Sequence, residues 1–131
     1  MLFDRRERGR RRADIEAAFD GRKNLDPDEF FAEHFSETPV PRDVSDRLRT
    51  IFEHVADTDL SLVRRHDRFS DELKFIWAYD SMADVEIVMS IEEEFRINLP
   101  GPVLDEAKTL RDLGCLVWAR LNGQAGLTER P

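Results

Sequence analysis

The sequence is poor in the residues that crosslink secreted domains or build catalytic sites. Cys115 is the single cysteine among 131 residues, so no internal disulfide can form, and its setting is typical of a small buried residue in a reducing compartment. The three histidines, His34, His54 and His66, have no ligand-like spacing. Metalloprotease, dithiol, serine-hydrolase and glycine-rich phosphate-binding motifs are all missing. These absences predict no metal site and argue against an enzyme.

Long apolar runs are also missing from the sequence. No stretch approaches the roughly 18 apolar residues of a membrane-spanning helix. No apolar segment follows the arginine-rich N-terminus, so a secretory signal peptide is not predicted either. We therefore expect a cytoplasmic protein with no integral membrane segment.

Acidic residues outnumber basic ones outside the N-terminus. The formal net charge is −8, which argues against nucleic acid as the main partner and favours basic protein partners. Six arginines nevertheless lie between residues 5 and 12, against only Asp4 and Glu7. Such a run is more often a solvated tail, and the alternative interpretation is a weak anchor for anionic partners.

Strand signals are nearly absent and the apolar periodicity is helical, so the sequence predicts an all-α protein. One short helix is expected over residues 10–20. A second should begin at Asp26-Pro27-Asp28-Glu29, where aspartate can cap, proline suits the first helical position and Glu29 can close a capping box. This second helix carries three phenylalanines and needs a partner: the rest of the chain, a dedicated enzyme or a second copy.

Four helices are predicted between residues 42 and 121. The first is followed by a long polar loop over 57–68, and the second covers 81–95. A very short helical turn is expected over 105–108, and Thr109 with Asp112 should cap the last helix. The apolar stripe of the first helix consists of Val44, Leu48, Ile51, Phe52 and Val55. The order of elements indicates a small four-helix bundle with a long first connection.

The second predicted helix opens with Asp80-Ser81-Met82 and is followed by Ile97-Asn98-Leu99-Pro100. The pattern of acidic and apolar residues over 85–95 and the sequence of 106–113 complete an ordered set of motifs. Taken together, these motifs resemble the acyl carrier proteins of fatty-acid and polyketide synthesis. The resemblance covers residues 42–121. It implies a carrier domain over 41–122, an N-terminal extension over 1–40 and a loose tail over 123–131.

In such carriers a serine holds a 4′-phosphopantetheine arm, and the thiol at the tip of the arm holds the acyl chain as a thioester. The resemblance implies that Ser81 is the attachment residue and that Asp80 and Met82 complete the local motif. It also implies coenzyme A as arm donor, a phosphopantetheinyl transferase, and acyl-loading and acyl-transfer enzymes with basic docking patches as partners. A helix N-terminus suits the phosphate, because free N–H groups and the helix dipole favour negative charge.

The resemblance also predicts a docking surface on the second helix, with an apolar centre and an acidic rim. Such a surface suits brief encounters with basic partners, although exposed acids can also serve solubility alone. The inward residues should be Ile87, Val88, Ile91 and Phe95. The docking surface should contain Met82, Val85 and Met89, rimmed by Asp84, Glu86, Glu92 and Glu93.

Two interpretations of Ser81 remain open. Ser81 and Asp84 fit a capping box, so the serine can be a helix cap alone. The chain would then be a carrier-like interaction module without the prosthetic group. A third hypothesis is a small regulatory protein that uses the arginine tail.

One departure from the family pattern lies just before the serine. Residues 69–73 match the family, but Lys74-Phe75-Ile76-Trp77 is inserted before Ala78. The insert places Phe75, Trp77 and Tyr79 just ahead of the serine, and we favour extra core packing for these three aromatic residues. The alternatives are a specific docking surface or an obstacle to a general transferase, and in each case we expect a specialised carrier.

Overall fold

The structure, a computed structural model, describes residues 17, 19–78, 82–99 and 101–129, without the side chains of 77, 78 and 124–129. The described part of the chain is helical, and its one β-bridge joins Arg68 to Thr109. The predicted all-α bundle of the acyl-carrier type is confirmed. The helices are α1 (Pro27–Phe35), α2 (Arg42–Ala56), α3 (Phe75–Ala78), α4 (Ala83–Phe95), α5 (Val103–Glu106) and α6 (Leu110–Glu129).

The predicted start of α1 is confirmed in both halves of its capping box. The Glu29 amide donates to Asp26 Oδ1 over 2.8 Å, and the Asp26 amide donates to Glu29 Oε1 over 3.1 Å. The helix packs against α2 and α6. Phe30 and Phe35 are buried in the common core, so α1 is an integral part of the folded bundle.

Among the described helices, α2 and α4 share the most extensive contact. The whole predicted stripe of α2 is buried, and it meets the buried face of α4. At the edge of this interface Arg47 donates to the side chain and to the carbonyl oxygen of Glu94, each over 2.8 Å. Its guanidinium also lies 4.3 Å from the centre of the Phe95 ring. Burial of complementary stripes therefore sets the bundle, and polar contacts close its rim.

Three predicted helices differ from the structure in where they begin or end. Helix α4 begins at Ala83 rather than at 81, and α5 covers Val103–Glu106 rather than 105–108. Ala107 is extended and leads into the bridge at Thr109, which ends α5 early. Helix α6 continues to Glu129 where a loose tail was expected after 122. Good helix formers occupy most of 124–129, and no proline interrupts them.

The predicted cap of α6 is confirmed in its first half. The Asp112 amide donates to Thr109 Oγ1 over 3.1 Å. The Asp112 carboxylate accepts from the Lys108 amide over 3.1 Å, one residue before the N-cap amide that a capping box would use. The helix predicted over 10–20 lies mostly outside the described residues.

Candidate functional site

The candidate site is the N-terminal half of α4. Met82 occupies the N-cap position, and its carbonyl oxygen accepts the Glu86 amide over 2.9 Å. The Met82 side chain makes no capping hydrogen bond. The buried side chain of Ala83 fixes this end of the helix in the core. The predicted attachment residue Ser81 and its neighbour Asp80 lie outside the described residues, so their roles stay predictions.

Three large apolar side chains project from α4 into solvent. Met82 is 54% exposed, Val85 41% and Met89 61%. They are the exposed large hydrophobic residues of the described part of the chain, and they are the three that the resemblance placed beside the serine. Of the four side chains expected inside, Ile87, Ile91 and Phe95 are buried and Val88 is half-buried. A run of exposed apolar side chains on one helix face marks a contact surface.

A groove of about 260 Å³ opens beside this face, between α4 and the segment that contains α5. Its apolar walls come from both elements, and Asp84 and Asp105 stand among them. Concave apolar sites with a few polar groups are the usual form of a small-molecule site. The apolar wall residues are Val85, Val88, Met89, Val103 and Leu104.

The start of α4 has one feature that favours a bound phosphate and one that opposes it. The first-turn amides of α4 receive no hydrogen bond from the N-cap side chain. Such amides, together with the dipole of a helix of 13 residues, favour a bound phosphate. Asp84 and Glu86 in the same turn oppose this, since they add negative charge.

The predicted acidic rim divides into two groups. Asp84, Glu86 and Glu93 are exposed, as a docking surface requires. Glu92 is half-buried, and its Oε2 accepts the Leu99 amide over 2.8 Å. Glu92 therefore stabilises the segment after α4 through a hydrogen bond. The sequence pattern did not reveal this role, because the partner amide lies in a non-helical segment.

The insert before the site contributes to the core. Phe75 and Ile76 are buried, and the Phe75 ring meets the Phe19 ring edge-on at 6.1 Å between centroids. The burial of Phe75 agrees with the favoured interpretation for that residue. The Trp77 side chain and Tyr79 lie outside the described residues.

Burial shifts the pKa of two side chains that lie away from the site, His34 and Cys115. His34 is buried, and its Nε2 lies 2.9 Å from the Val63 carbonyl oxygen. Its Nδ1 has no hydrogen-bond partner among the described residues. Burial lowers the pKa of His34 to about 4, against a smaller opposing effect of the Val63 bond and of nearby Glu33 and Asp67. Burial raises the pKa of the half-buried Cys115 thiol, which keeps it protonated and unreactive.

The acyl carrier protein of Phenylobacterium zucineum strain HLK1 is 34% identical over 79 residues, which are 60% of this chain and 95% of that relative. The chain belongs to the acyl carrier protein family. The acyl carrier proteins of two Caulobacter vibrioides strains are also 34% identical, over 70 residues that make up 53% of this chain and 85% of each relative. No family model and no solved structure matches the chain.

Membership of this family makes the chain a carrier and not an enzyme. Acyl carrier proteins work with a phosphopantetheinyl transferase and with acyl-handling enzymes, and they generally carry phosphopantetheine. Within the described ranges, no three histidine, cysteine, aspartate or glutamate side chains are grouped as a metal site would need. The helices that the structure describes include none with the length and apolarity to cross a bilayer.

Proposed function

We propose that this carrier holds an acyl or aminoacyl group as a thioester on a 4′-phosphopantetheine arm attached to Ser81. The observation that carries the proposal is the exposed apolar face of Met82, Val85 and Met89. This face directly follows Asp80-Ser81 in the sequence, at the start of α4. The arm supplies a thiol, and the chain supplies a tether and a surface.

The exposed face of α4 suits enzymes with a basic rim around an apolar contact. Met82 and Met89 offer flexible apolar side chains that adapt to different partners. Asp84, Glu86 and Glu93 surround them with negative charge, which speeds association with a basic surface. We propose Glu86 and Met89 as principal contacts and assign Glu92 mainly to holding the chain after α4.

A fatty-acid, lipid or polyketide-type pathway in the cytoplasm fits these properties. The family supplies the pathway class, and the single cysteine suits a reducing compartment. The insert over 74–77, which the family pattern lacks, favours a dedicated pathway over a housekeeping role.

The proposal is tested by intact-protein mass after incubation with coenzyme A, Mg²⁺ and a broad-specificity phosphopantetheinyl transferase. We expect one pantetheine-sized gain in the wild type and none in Ser81→Ala. Ser70→Ala is the matched control, because Ser70 is an exposed serine outside the helix start and its variant should gain the arm normally.

A gain that persists in Ser81→Ala would refute the assignment of the attachment residue. Where neither protein gains mass, the mass of the protein purified from its natural source decides. An arm found there indicates a dedicated transferase, and an unmodified chain supports the carrier-like interaction module without the prosthetic group.

A further inference from the structure

Residues 19–25, here called the strap, cross the long loop between α2 and α3. The Leu25 amide donates to the Ser61 carbonyl oxygen over 2.9 Å. The Ser61 hydroxyl donates to Asn24 Oδ1 over 2.6 Å. The strap therefore supplies hydrogen bonds to a connection that has no helical ladder of its own.

Arg22 anchors the strap to the far end of this loop. Its guanidinium donates to both carboxylate oxygens of Asp67, over 2.5 and 3.0 Å, and to the Leu62 carbonyl oxygen over 3.0 Å. Asp67 is only 4% exposed and also accepts the Arg64 amide over 2.7 Å. A bidentate pair with one buried partner has a defined geometry, and loss of the arginine would leave a buried carboxylate short of donors.

Phe19 links the strap to the insert. Its buried ring meets the Phe75 ring edge-on. The Arg22 guanidinium lies over the same Phe19 ring, 4.4 Å from the ring centre. A tight turn places it there: the Arg22 amide donates to the Phe19 carbonyl oxygen over 3.1 Å. Gly21 adopts φ +81° within this turn, a conformation that glycine accepts without strain.

Core packing also supports the segment behind Phe75, because Phe69, Leu73 and Ile76 are buried. The backbone hydrogen bonds of Leu73 and Ile76, in contrast, are local. Leu73 donates its amide to Arg68 and Ile76 donates its amide to Leu73, each over 3.0 Å, so these bonds are local turns. The short helix α3 then ends at Ala78, three residues before Ser81 in the sequence. We propose that the strap, through Phe19, holds Phe75 and the insert around it in one conformation and so affects the rate at which a transferase modifies Ser81.

The physical basis of this proposal is preorganisation. A transferase that contacts the insert must hold it in one conformation when it binds, and ordering a segment costs conformational entropy. A segment already held by Phe19 lowers that cost before binding. The proposal has a conformational half, that the strap holds the insert, and a kinetic half, that this affects modification of Ser81. Only the kinetic half rests on the proposed function.

The test compares Phe19→Ala with Phe31→Ala. Phe31 is a half-buried aromatic residue of α1 whose ring meets Phe35 and the Arg42 guanidinium, so its loss perturbs the extension away from the insert. Denaturant unfolding of both variants first measures their global stability. Amide hydrogen exchange at Leu73 and Ile76 then reports on the segment without any transferase.

We expect Phe19→Ala to raise exchange at Leu73 and Ile76 beyond its global loss of stability, and Phe31→Ala to show no such local excess. With coenzyme A and the transferase, Phe19→Ala should lose roughly fivefold to tenfold in kcat/KM, because binding must now order the segment. The loss should appear in KM, with kcat little changed, and Phe31→Ala should stay within about twofold.

Unchanged local exchange in Phe19→Ala overturns the proposal, whatever the modification rate. Raised exchange with equal modification rates in both variants overturns its kinetic half. A wild type that gains no arm in this assay and carries none when purified from its natural source refutes the proposed function and the kinetic half with it, and exchange alone then decides the conformational half.

A milder variant, Gly21→Ala, guards against misfolding of Phe19→Ala. Its new Cβ would meet nothing within 4 Å, so the only change is strain at positive φ. It should shift exchange and KM in the same direction as Phe19→Ala, and its failure to do so overturns the proposal.

Discussion

Replacement of Gly114 by alanine tests how tightly α1 packs on α6. A Cβ at this position would lie 2.3 Å from Cε1 and 2.6 Å from Cζ of Phe35, distances that packed atoms do not tolerate. Phe35 is 2% exposed, and its ring is also in contact with Phe31 and His34. The ring therefore has little room to retreat, and the helices must separate or the ring must leave its rotamer.

Two opposing effects set the size of the change. Alanine is favoured over glycine in a helix interior by about 1 kcal/mol, whereas overpacking a core costs about 1–3 kcal/mol. Because both contacts at Gly114 are so short, we take the upper end of that range. We expect Gly114→Ala to lower the free energy of unfolding by about 2 kcal/mol.

A double-mutant cycle isolates the contact. Phe35→Ala alone should cost about 3–5 kcal/mol. In that background Gly114→Ala no longer meets a ring, so it should stabilise by up to about 1 kcal/mol. The sign of the Gly114→Ala effect should therefore reverse between the two backgrounds.

Denaturant unfolding followed by far-UV circular dichroism measures all four free energies. Gly123→Ala is the control, since Gly123 lies on the same helix and a Cβ there would meet nothing within 4 Å. It should stabilise slightly in both backgrounds. If Gly114→Ala stabilises the wild type as Gly123→Ala does, the close packing of α1 on α6 is refuted.

Two further predictions concern polar groups. His34 has a folded pKa of about 4, below its unfolded value of 6.5, so stability is full above pH 6.5 and falls by about 3 kcal/mol as the pH drops towards 4. The free energy of unfolding of His34→Gln should no longer show this fall with pH. The variant His54→Gln, which changes an exposed histidine, should still show it. Glu92→Ala should lower the free energy of unfolding by about 1.5–3 kcal/mol, because the Leu99 amide loses a charged acceptor. Glu93→Ala, at the neighbouring exposed position, should change this free energy by less than about 0.5 kcal/mol. Equal effects of the two substitutions would contradict the assignment of Glu92.

Local sequence patterns determined the helices and the exposed face of α4. The capping box of Asp26 and Glu29 joins residues three apart, so it is complete within one helical turn. The family resemblance predicts Met82, Val85 and Met89 on the outside of α4, and the structure exposes all three. Such features depend on neighbours within a few positions of the chain.

Tertiary structure alone decided the features that join distant segments. Arg22 pairs with Asp67 across 45 positions of sequence, and neither residue belongs to a pattern that names the other. The burial of His34 depends on the loop that carries Val63, and the need for glycine at position 114 depends on where Phe35 packs. Periodicity gives the direction of a side chain from its own helix, but its partner is chosen by how the helices and loops are assembled in space.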